Sequence, residues 1–215
     1  MKGAPVHIVL PGDSVFDNAA YVGGGPDVVA QLRERLGSGG RATLLAIDGA
    51  VTREVPAQLA RLPAYATHLV VSVGGNDALR QSGILAAPVR SVAESLLKLA
   101  DIQRALAANY AAMLDAVARA GLPVAMCTIY DPRFPDPTQR VVSTIALAVF
   151  NDVIVRQAIR RSWPVLDLRL VCDEDSDFAN PIEPSTRGGA KIAAAILSVM
   201  SRHDWSGGRS AVFAR

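Results

Sequence analysis

Runs of apolar residues of strand length recur along the chain and predict a buried sheet. Each run is too continuous for a strand with one face in water, so buried parallel strands are expected. The five predicted strands are Pro5–Leu10, Ala42–Ile47, His68–Val73, Pro123–Ile129 and Pro164–Leu168.

Segments between these strands have the apolar spacing of helices. The first three predicted helices are Pro26–Leu36, Val51–Leu62 and a long stretch from Pro88 to Ala120. Apolar stripes mark the long stretch and two later helices: Leu106, Tyr110, Met113, Leu114 and Val117; Val142, Ile145, Ala146, Val149, Val153 and Ile154; and Ile192, Ile196, Val199 and Met200. Ser185 or Thr186 is predicted to cap the last helix. Since strands and helices alternate, right-handed crossovers predict a three-layer α/β/α sandwich around a five-stranded parallel sheet.

Length and composition fit one compact domain. The chain has 215 residues, of which 50% are hydrophobic and 20% charged, so residues 1–205 are assigned to a single domain. The polar, glycine-rich segment 206–215 is predicted to be a loose tail. A formal net charge of +2 gives no electrostatic reason to expect nucleic acid or an anionic membrane as partner.

The chain shows neither an export signal nor roughly 18 consecutive apolar residues of a transmembrane segment. We therefore expect a cytoplasmic protein with its two cysteines, Cys127 and Cys172, reduced and partly buried. The redox state of the pair and the oligomeric state stay open at this point.

Polar and glycine residues follow three of the predicted strands. Ser14 lies on a turn after the first strand, Gly49 follows the second, and Asn76 follows the third. Ligands of open α/β sheets bind outside the carboxyl ends of the strands, so these residues are expected at one site. Acyl transfer needs a nucleophile and donors for the developing oxyanion. Ser14 is the candidate nucleophile, and the amides of Ser14 and Gly49 and the Asn76 side chain are candidate donors.

These short motifs, in this order, resemble a known family. Gly12-Asp13-Ser14, the isolated Gly49 and Gly74-x-Asn76-Asp77 look like blocks I, II and III of the GDSL/SGNH hydrolases. The resemblance implies a flavodoxin-like sandwich and a serine hydrolase (esterase or acyl hydrolase) that acts on esters, thioesters or related acyl groups. It also implies that Ser14 is the nucleophile and that no cofactor is needed.

The fourth block of the family departs from its usual pattern. The family has Asp and, three residues later, His, where this chain has Asn180 and Glu183. We interpret Glu183 as an unusual general base, with a pKa raised toward 6–7 by burial. Asn180, being neutral, is expected to donate to the second oxygen of that carboxylate. The histidines at 7, 68 and 203 are predicted to lie away from the site.

Two functional hypotheses follow from these residues. One is a serine hydrolase working through Ser14 and Glu183; the other is a non-catalytic relative that binds an acyl or sugar ligand. The acidic run 173–177 lacks the calcium-loop residues at the required positions, so it is interpreted as a solvated loop and no metal site is predicted. The acyl chain length and the identity of the substrate stay open.

Overall fold

The computed structural model describes residues 5–214. Its strands are β1 (Val6–Leu10), β2 (Gly40–Leu44), β3 (His68–Val71), β4 (Val124–Cys127), β5 (Val165–Leu166), β6 (Phe178–Asn180), β7 (Glu183–Pro184) and β8 (Val212–Phe213). Its α-helices are α1 (Val28–Leu36), α2 (Val55–Leu59), α3 (Gly75–Arg80), α4 (Val92–Ala118), α5 (Pro137–Arg160), α6 (Leu168–Val171) and α7 (Thr186–Arg202).

Six strands form one parallel sheet in the order β2-β1-β3-β4-β5-β8. Alternate residues of β1 face opposite sides, as strand geometry requires. Ile8 and Leu10 join a core that includes residues of α1 and α7, whereas Val9 joins a second core with residues of α4 and α5. The predicted three-layer α/β/α sandwich is therefore confirmed, with helices covering both faces of the sheet.

The predicted strand count and the loose tail were wrong. Val212 and Phe213 pair with Val165 and Leu166 as a sixth, edge strand. The chain is held there because Trp205 and Phe213 pack against the core beside α7, and both contact the ring of His203. The sequence does not reveal this strand, because its two apolar residues follow a polar, glycine-rich segment and are too few to form a recognisable pattern.

The helices follow the predicted stripes with one exception. All five stripe residues of α4 are buried, and Ser185 caps α7 by accepting from the amide of Gly188 at 3.2 Å. In α5 only the second half is a core stripe, because Val142 and Ile145 are 39% and 63% exposed. Helix α5 is long and apolar enough to cross a membrane by length and composition, but its second half packs into the protein core.

Candidate active site

The turn that carries Ser14 is built around a residue that has to be glycine. Gly12 has φ of 144°, and a Cβ on it would lie 1.9 Å from the carbonyl oxygen of Ser72 on the neighbouring strand. The Gln58 side chain holds the same residue from the other side. It accepts from the Gly12 amide at 2.7 Å and donates to the Gly12 carbonyl at 2.8 Å. These contacts fix the backbone two residues before the serine.

Ser14 and Glu183 lie side by side at the carboxyl edge of the sheet. The hydroxyl of Ser14 donates to Oε1 of Glu183 at 3.0 Å. Both residues are buried, with 7% and 6% of their surface exposed. The two residues are separated by 169 positions in the chain, so only the fold brings them together. A nucleophile within hydrogen-bond reach of a base is the geometry that serine activation requires.

Glu183 reaches this position on the short antiparallel pair formed by β6 and β7. The turn between these strands is anchored by Tyr130, whose hydroxyl donates to the Ile182 carbonyl at 2.6 Å. On the other side of Glu183, the Asn18 side-chain amide donates to the Pro184 carbonyl at 3.0 Å. The main chain is thus held on both sides of the carboxylate.

Asn180 does not play the role predicted from the sequence. Its side chain is exposed, and its Oδ1 accepts from the backbone amides of Ile182 and Glu183, each at 3.0 Å. Within residues 5–214, the second carboxylate oxygen of Glu183 is buried without a hydrogen-bond partner. Asn180 therefore shapes the turn that presents Glu183, because its oxygen is committed to the main chain.

The surroundings of Glu183 favour its neutral form. Burial is the largest influence and raises the pKa of Glu183 to about 7; the Ser14 hydrogen bond lowers it and the nearby Asp48 charge raises it further. The unpartnered oxygen fits this direction, because a carboxylate without donors is poorly stabilised away from water. The pKa of Glu183 is thus close to that of a solvent-exposed histidine side chain.

A second buried carboxyl, Asp13, precedes Ser14 in the chain. Burial raises the pKa of Asp13 to about 8. The hydrogen bond that the Val15 amide donates lowers this pKa, and the charges of Glu183 and Asp77 raise it. Both carboxyls therefore have a pKa raised by burial, and an ionised Asp13 would oppose ionisation of Glu183, because two nearby negative charges repel each other.

The candidate oxyanion donors line two different cavities. Asn76 lies in the same cavity as Ser14 and Glu183, and its Nδ2 donates to the Ala50 carbonyl at 3.1 Å. That bond uses one N–H and leaves the second available. Gly49, with φ of 78°, lines a smaller neighbouring cavity that does not include Ser14. Among the hydrogen bonds of residues 5–214, none uses the backbone amide of Ser14 or of Gly49.

Among the residues that the structure describes, the contacts of the three histidines do not include Ser14. His7 bonds Thr43 at 2.8 Å and stacks on a tyrosine. His68 bonds Thr67 at 2.9 Å, while both His68 and His203 contact the Trp205 ring. Within residues 5–214, the group that accepts the hydrogen bond of the Ser14 hydroxyl is therefore a carboxylate and not an imidazole.

Polar side chains brace the loops of the site. Asp17 accepts from the Asp48 amide at 2.9 Å, and Asp77 accepts from the amide and hydroxyl of Thr52 at 2.9 Å. Gln58 and Tyr130 were missed. Both act through main-chain groups far away in the sequence, and no local pattern marks such a partner.

The acidic run 173–177 was interpreted as a solvated loop, but its last residue is buried. Asp177 is fully buried, because Lys191 Nζ lies 2.6 Å from its Oδ2 and Arg187 Nε lies 3.4 Å from its Oδ1. The described residues contain no group of three or more His, Cys, Asp or Glu that would hold a metal ion. Cys127 and Cys172 are free thiols, and both are buried.

A cavity of about 700 Å³ lies over Ser14 and Glu183. Its walls come from α3 and the turn after it, from α4 and from the first half of α5. Most of the wall is apolar, and it includes Ile84, Leu99, Ile102, Ala146, Leu147 and Phe150. No lysine, arginine or histidine lines it in the described part of the chain. A cavity of this size is within the range of small-molecule sites.

Solved structures with the same fold include several ester hydrolases. An extracellular lipase from Streptomyces rimosus is 18% identical, with a TM-score of 0.65 over 90% of this chain and 98% of that one. A phospholipase A1 from Streptomyces albidoflavus NA297 is 16% identical, with a TM-score of 0.68 over 91% and 99%. A mutant of an acetyl-xylooligosaccharide esterase from Geobacillus Stearmophilus is 16% identical, with a TM-score of 0.67 over 94% and 98%.

A comparison with curated protein sequences finds no match. The model of the GDSL-like lipase/acylhydrolase family matches residues 11–190. That range runs from the turn before Ser14 into α7, and so it includes every residue of the candidate site. The chain belongs to the GDSL-like lipase/acylhydrolase family.

Proposed function

We propose that this chain is a serine hydrolase of esters or thioesters, in which Ser14 is the nucleophile and Glu183 is the general base. The observation that carries the proposal is the 3.0 Å hydrogen bond from the Ser14 hydroxyl to the Glu183 carboxylate. It lies on the buried floor of a largely apolar cavity. Family membership supports the reaction class, and this bond supports the roles proposed for the two residues.

The acylation step uses both residues in turn. Glu183 takes the Ser14 proton as Oγ attacks the acyl carbon, and the carbonyl electron pair moves onto the oxygen. The amide of Ser14 and the free N–H of Asn76 are proposed to stabilise that oxyanion, with the Gly49 amide as a third donor. The intermediate then collapses. Neutral Glu183 returns its proton to the leaving alcohol or thiol, and an acyl-serine remains.

Deacylation repeats the same proton transfers with water. Glu183 removes a proton from the attacking water, and the serine oxygen leaves with that proton as the acid product is released. A base acts best with a pKa near the working pH. The pKa of about 7 at Glu183, raised mainly by burial, gives it that property without an imidazole.

The cavity wall indicates the acyl group. Apolar side chains from three helices surround the space next to Ser14, and among residues 5–214 no cation lines it to bind a phosphate or carboxylate. An uncharged hydrocarbon chain fits such a wall, since each buried methylene contributes about 0.8 kcal/mol. The lipase and the phospholipase A1 of similar fold carry lipid-cleaving names, in line with this choice.

An active-site label tests the nucleophile. A fluorophosphonate probe is expected to label the wild type, and p-nitrophenyl butyrate is expected to be hydrolysed. Ser14→Ala should lose both signals, while Ser143→Ala, a serine elsewhere in the same cavity, should keep them. If the wild type shows neither labelling nor turnover, the non-catalytic acyl- or sugar-binding hypothesis replaces this one.

A further inference from the structure

Exposed apolar side chains concentrate on one part of the surface. Of the 14 large hydrophobic residues that are exposed in the described part of the chain, nine lie in residues 79–97 and 141–145. We call these nine the helical rim: Leu79, Leu85, Val89, Val92, Leu96, Leu97, Val141, Val142 and Ile145. Soluble monomers rarely expose a large contiguous apolar patch unless it meets a partner or a membrane.

Exposure is greatest at the amino-terminal ends of α4 and α5. Val92, Leu96 and Leu97 are 76%, 60% and 66% exposed, and Ile145 is 63% exposed. The same helices are buried further along, where Leu106 and Phe150 are each 5% exposed. Both helices thus extend past the core, and their apolar face continues along the part that has no core beneath it.

The helical rim is continuous with the cavity over Ser14. Leu79, Leu85 and Val142 belong to the helical rim and also line the cavity. They are 41%, 42% and 39% exposed, whereas the Ser14 floor is buried, so the cavity opens between the segments that carry them. An apolar chain passing this opening would stay in contact with apolar side chains from the surface to the nucleophile.

The helical rim has few charged neighbours. Lys98 pairs with Glu94 at 3.3 Å, and Arg140 pairs with Asp175 at 2.6 Å. Arg80 and Arg90 are exposed and form no ion pair in the described part of the chain. Two unpaired charges beside nine apolar side chains do not call for a strongly charged partner. A protein partner seated here would cover the opening at Leu79, Leu85 and Val142, through which the substrate has to enter. A fluid apolar layer would leave it accessible.

We propose that the helical rim docks on the surface of a zwitterionic phospholipid bilayer and receives acyl chains from it. The side chains of Val92, Leu97 and Ile145 enter the boundary between headgroups and acyl chains, as the apolar face of an interfacial helix does. The purpose of this docking rests on the proposed hydrolase function, but the binding itself needs no catalysis.

Vesicle flotation measures the binding alone. The Ser14→Ala protein, which would leave the lipid intact, is mixed with phosphatidylcholine vesicles and centrifuged through a density gradient. We expect it to float with the vesicles, and Val92→Ser/Leu97→Ser in the same background to bind at least about tenfold more weakly. Ile159→Ser/Leu170→Ser is the matched control, because both residues are 52% exposed and lie outside the helical rim.

Three results would overturn the docking proposal. One is a failure of the Ser14→Ala protein to float. Another is an equal loss of binding in the rim and control variants. The third is a dimer, measured by analytical ultracentrifugation, that dissociates in Val92→Ser/Leu97→Ser, because a second copy would then occupy this face.

Activity measurements separate this proposal from the proposed function. With Ser14 in place, Val92→Ser/Leu97→Ser should hydrolyse soluble p-nitrophenyl butyrate at the wild-type rate, since neither residue lines the cavity. The same variant should lose activity on an ester embedded in vesicles. If the protein floats with vesicles but hydrolyses neither ester, the hydrolase proposal is rejected and the docking surface is kept. If the wild type and Val92→Ser/Leu97→Ser hydrolyse the soluble and the vesicle-embedded ester equally well, the docking surface alone is rejected.

Discussion

The floor of the cavity and the helical rim are built in opposite ways. On the floor, Ser14 and Glu183 are buried, and the main chain around them is held by Gln58, Asn18 and Tyr130 through hydrogen bonds of 2.6–3.0 Å. At the rim, side chains such as Val92 and Leu97 are more than half exposed, and they lie on helix ends that protrude beyond the core.

Under the proposed function, this difference gives the two regions distinct tasks. Proton transfer requires groups held within a few tenths of an ångström, which a dense set of backbone hydrogen bonds provides. Recognition of a hydrocarbon chain requires area and little directionality. Substitutions on the floor should therefore affect turnover of every substrate, whereas substitutions along the wall should affect only substrates with long chains.

Removing the base should have the largest effect on the floor. Glu183→Gln keeps an oxygen that can accept from Ser14 but removes the proton acceptor, and we expect kcat to fall by about 10²–10⁴-fold. Steady-state hydrolysis of p-nitrophenyl butyrate measures this loss. Glu34→Gln, on the exposed side of α1, is the matched control and should keep full activity. Undiminished turnover in Glu183→Gln would remove Glu183 from the mechanism.

The second prediction concerns pH. The base has to be ionised, so kcat/KM should rise with pH and level off above the pKa of about 7 that burial gives Glu183. Between pH 7 and pH 5 we expect a decrease of about 50-fold, since the ionised fraction of the base is about one half at its pKa and falls about tenfold for each further pH unit below it. A rate profile from pH 5 to 9 measures it. An acidic limb centred near the ordinary carboxyl value of 4.5 would contradict the buried environment of the base.

The third prediction tests the cavity wall against the floor. Ala146 lies on the exposed half of α5 and lines the cavity, so Ala146→Trp would fill space used by a long acyl chain. We expect kcat/KM for an octanoate ester to fall at least tenfold while that for an acetate ester changes less than about threefold. Ala148→Trp, which lies outside the cavity on the same helix, is the control. Equal losses on both esters would mean that the chain does not bind in this space.

Much of the fold was predictable because burial leaves a continuous apolar pattern in strands such as β1 and β3. The exposed half of α5 was not. Val142 and Ile145 have the spacing of a core stripe, and periodicity reports that a helix has an apolar face without reporting what covers it. The edge strand at Val212–Phe213 is too short for any pattern.

The candidate site also has a part that could be predicted from the sequence and a part that could not. The positions of Ser14 and Glu183 follow from motifs in a fixed order along the chain. The clamp of Gln58 on Gly12 does not, because it joins residues 46 positions apart through a backbone group that every residue has. The wrong role for Asn180 has a related cause: an amide side chain is equally able to donate to a carboxylate or to accept from the main chain.

The fourth prediction turns from activity to stability. Glu183 has a pKa of about 7 in the fold and an ordinary value of 4.5. Between these values the folded state binds more protons than the unfolded state, so the free energy of unfolding should decrease as pH rises from 5 to 8. Urea unfolding should show a decrease that is smaller in Glu183→Gln by roughly 1–3 kcal/mol. Identical decreases in the two proteins would show that this carboxyl is not desolvated in the fold.

The smallest effect is expected at Asn180, where two roles predict different outcomes. Its Oδ1 accepts from the amides of Ile182 and Glu183, and a carboxylate accepts equally well. Asn180→Asp should therefore keep kcat/KM within about threefold, whereas Asn180→Ala should lose about 1 kcal/mol of stability with the turn. Kinetics and urea unfolding of the two variants distinguish the roles. If Asn180 instead donated to the second oxygen of Glu183, Asp would remove the donor and add a repelling charge, so Asn180→Asp would be the more damaging of the two.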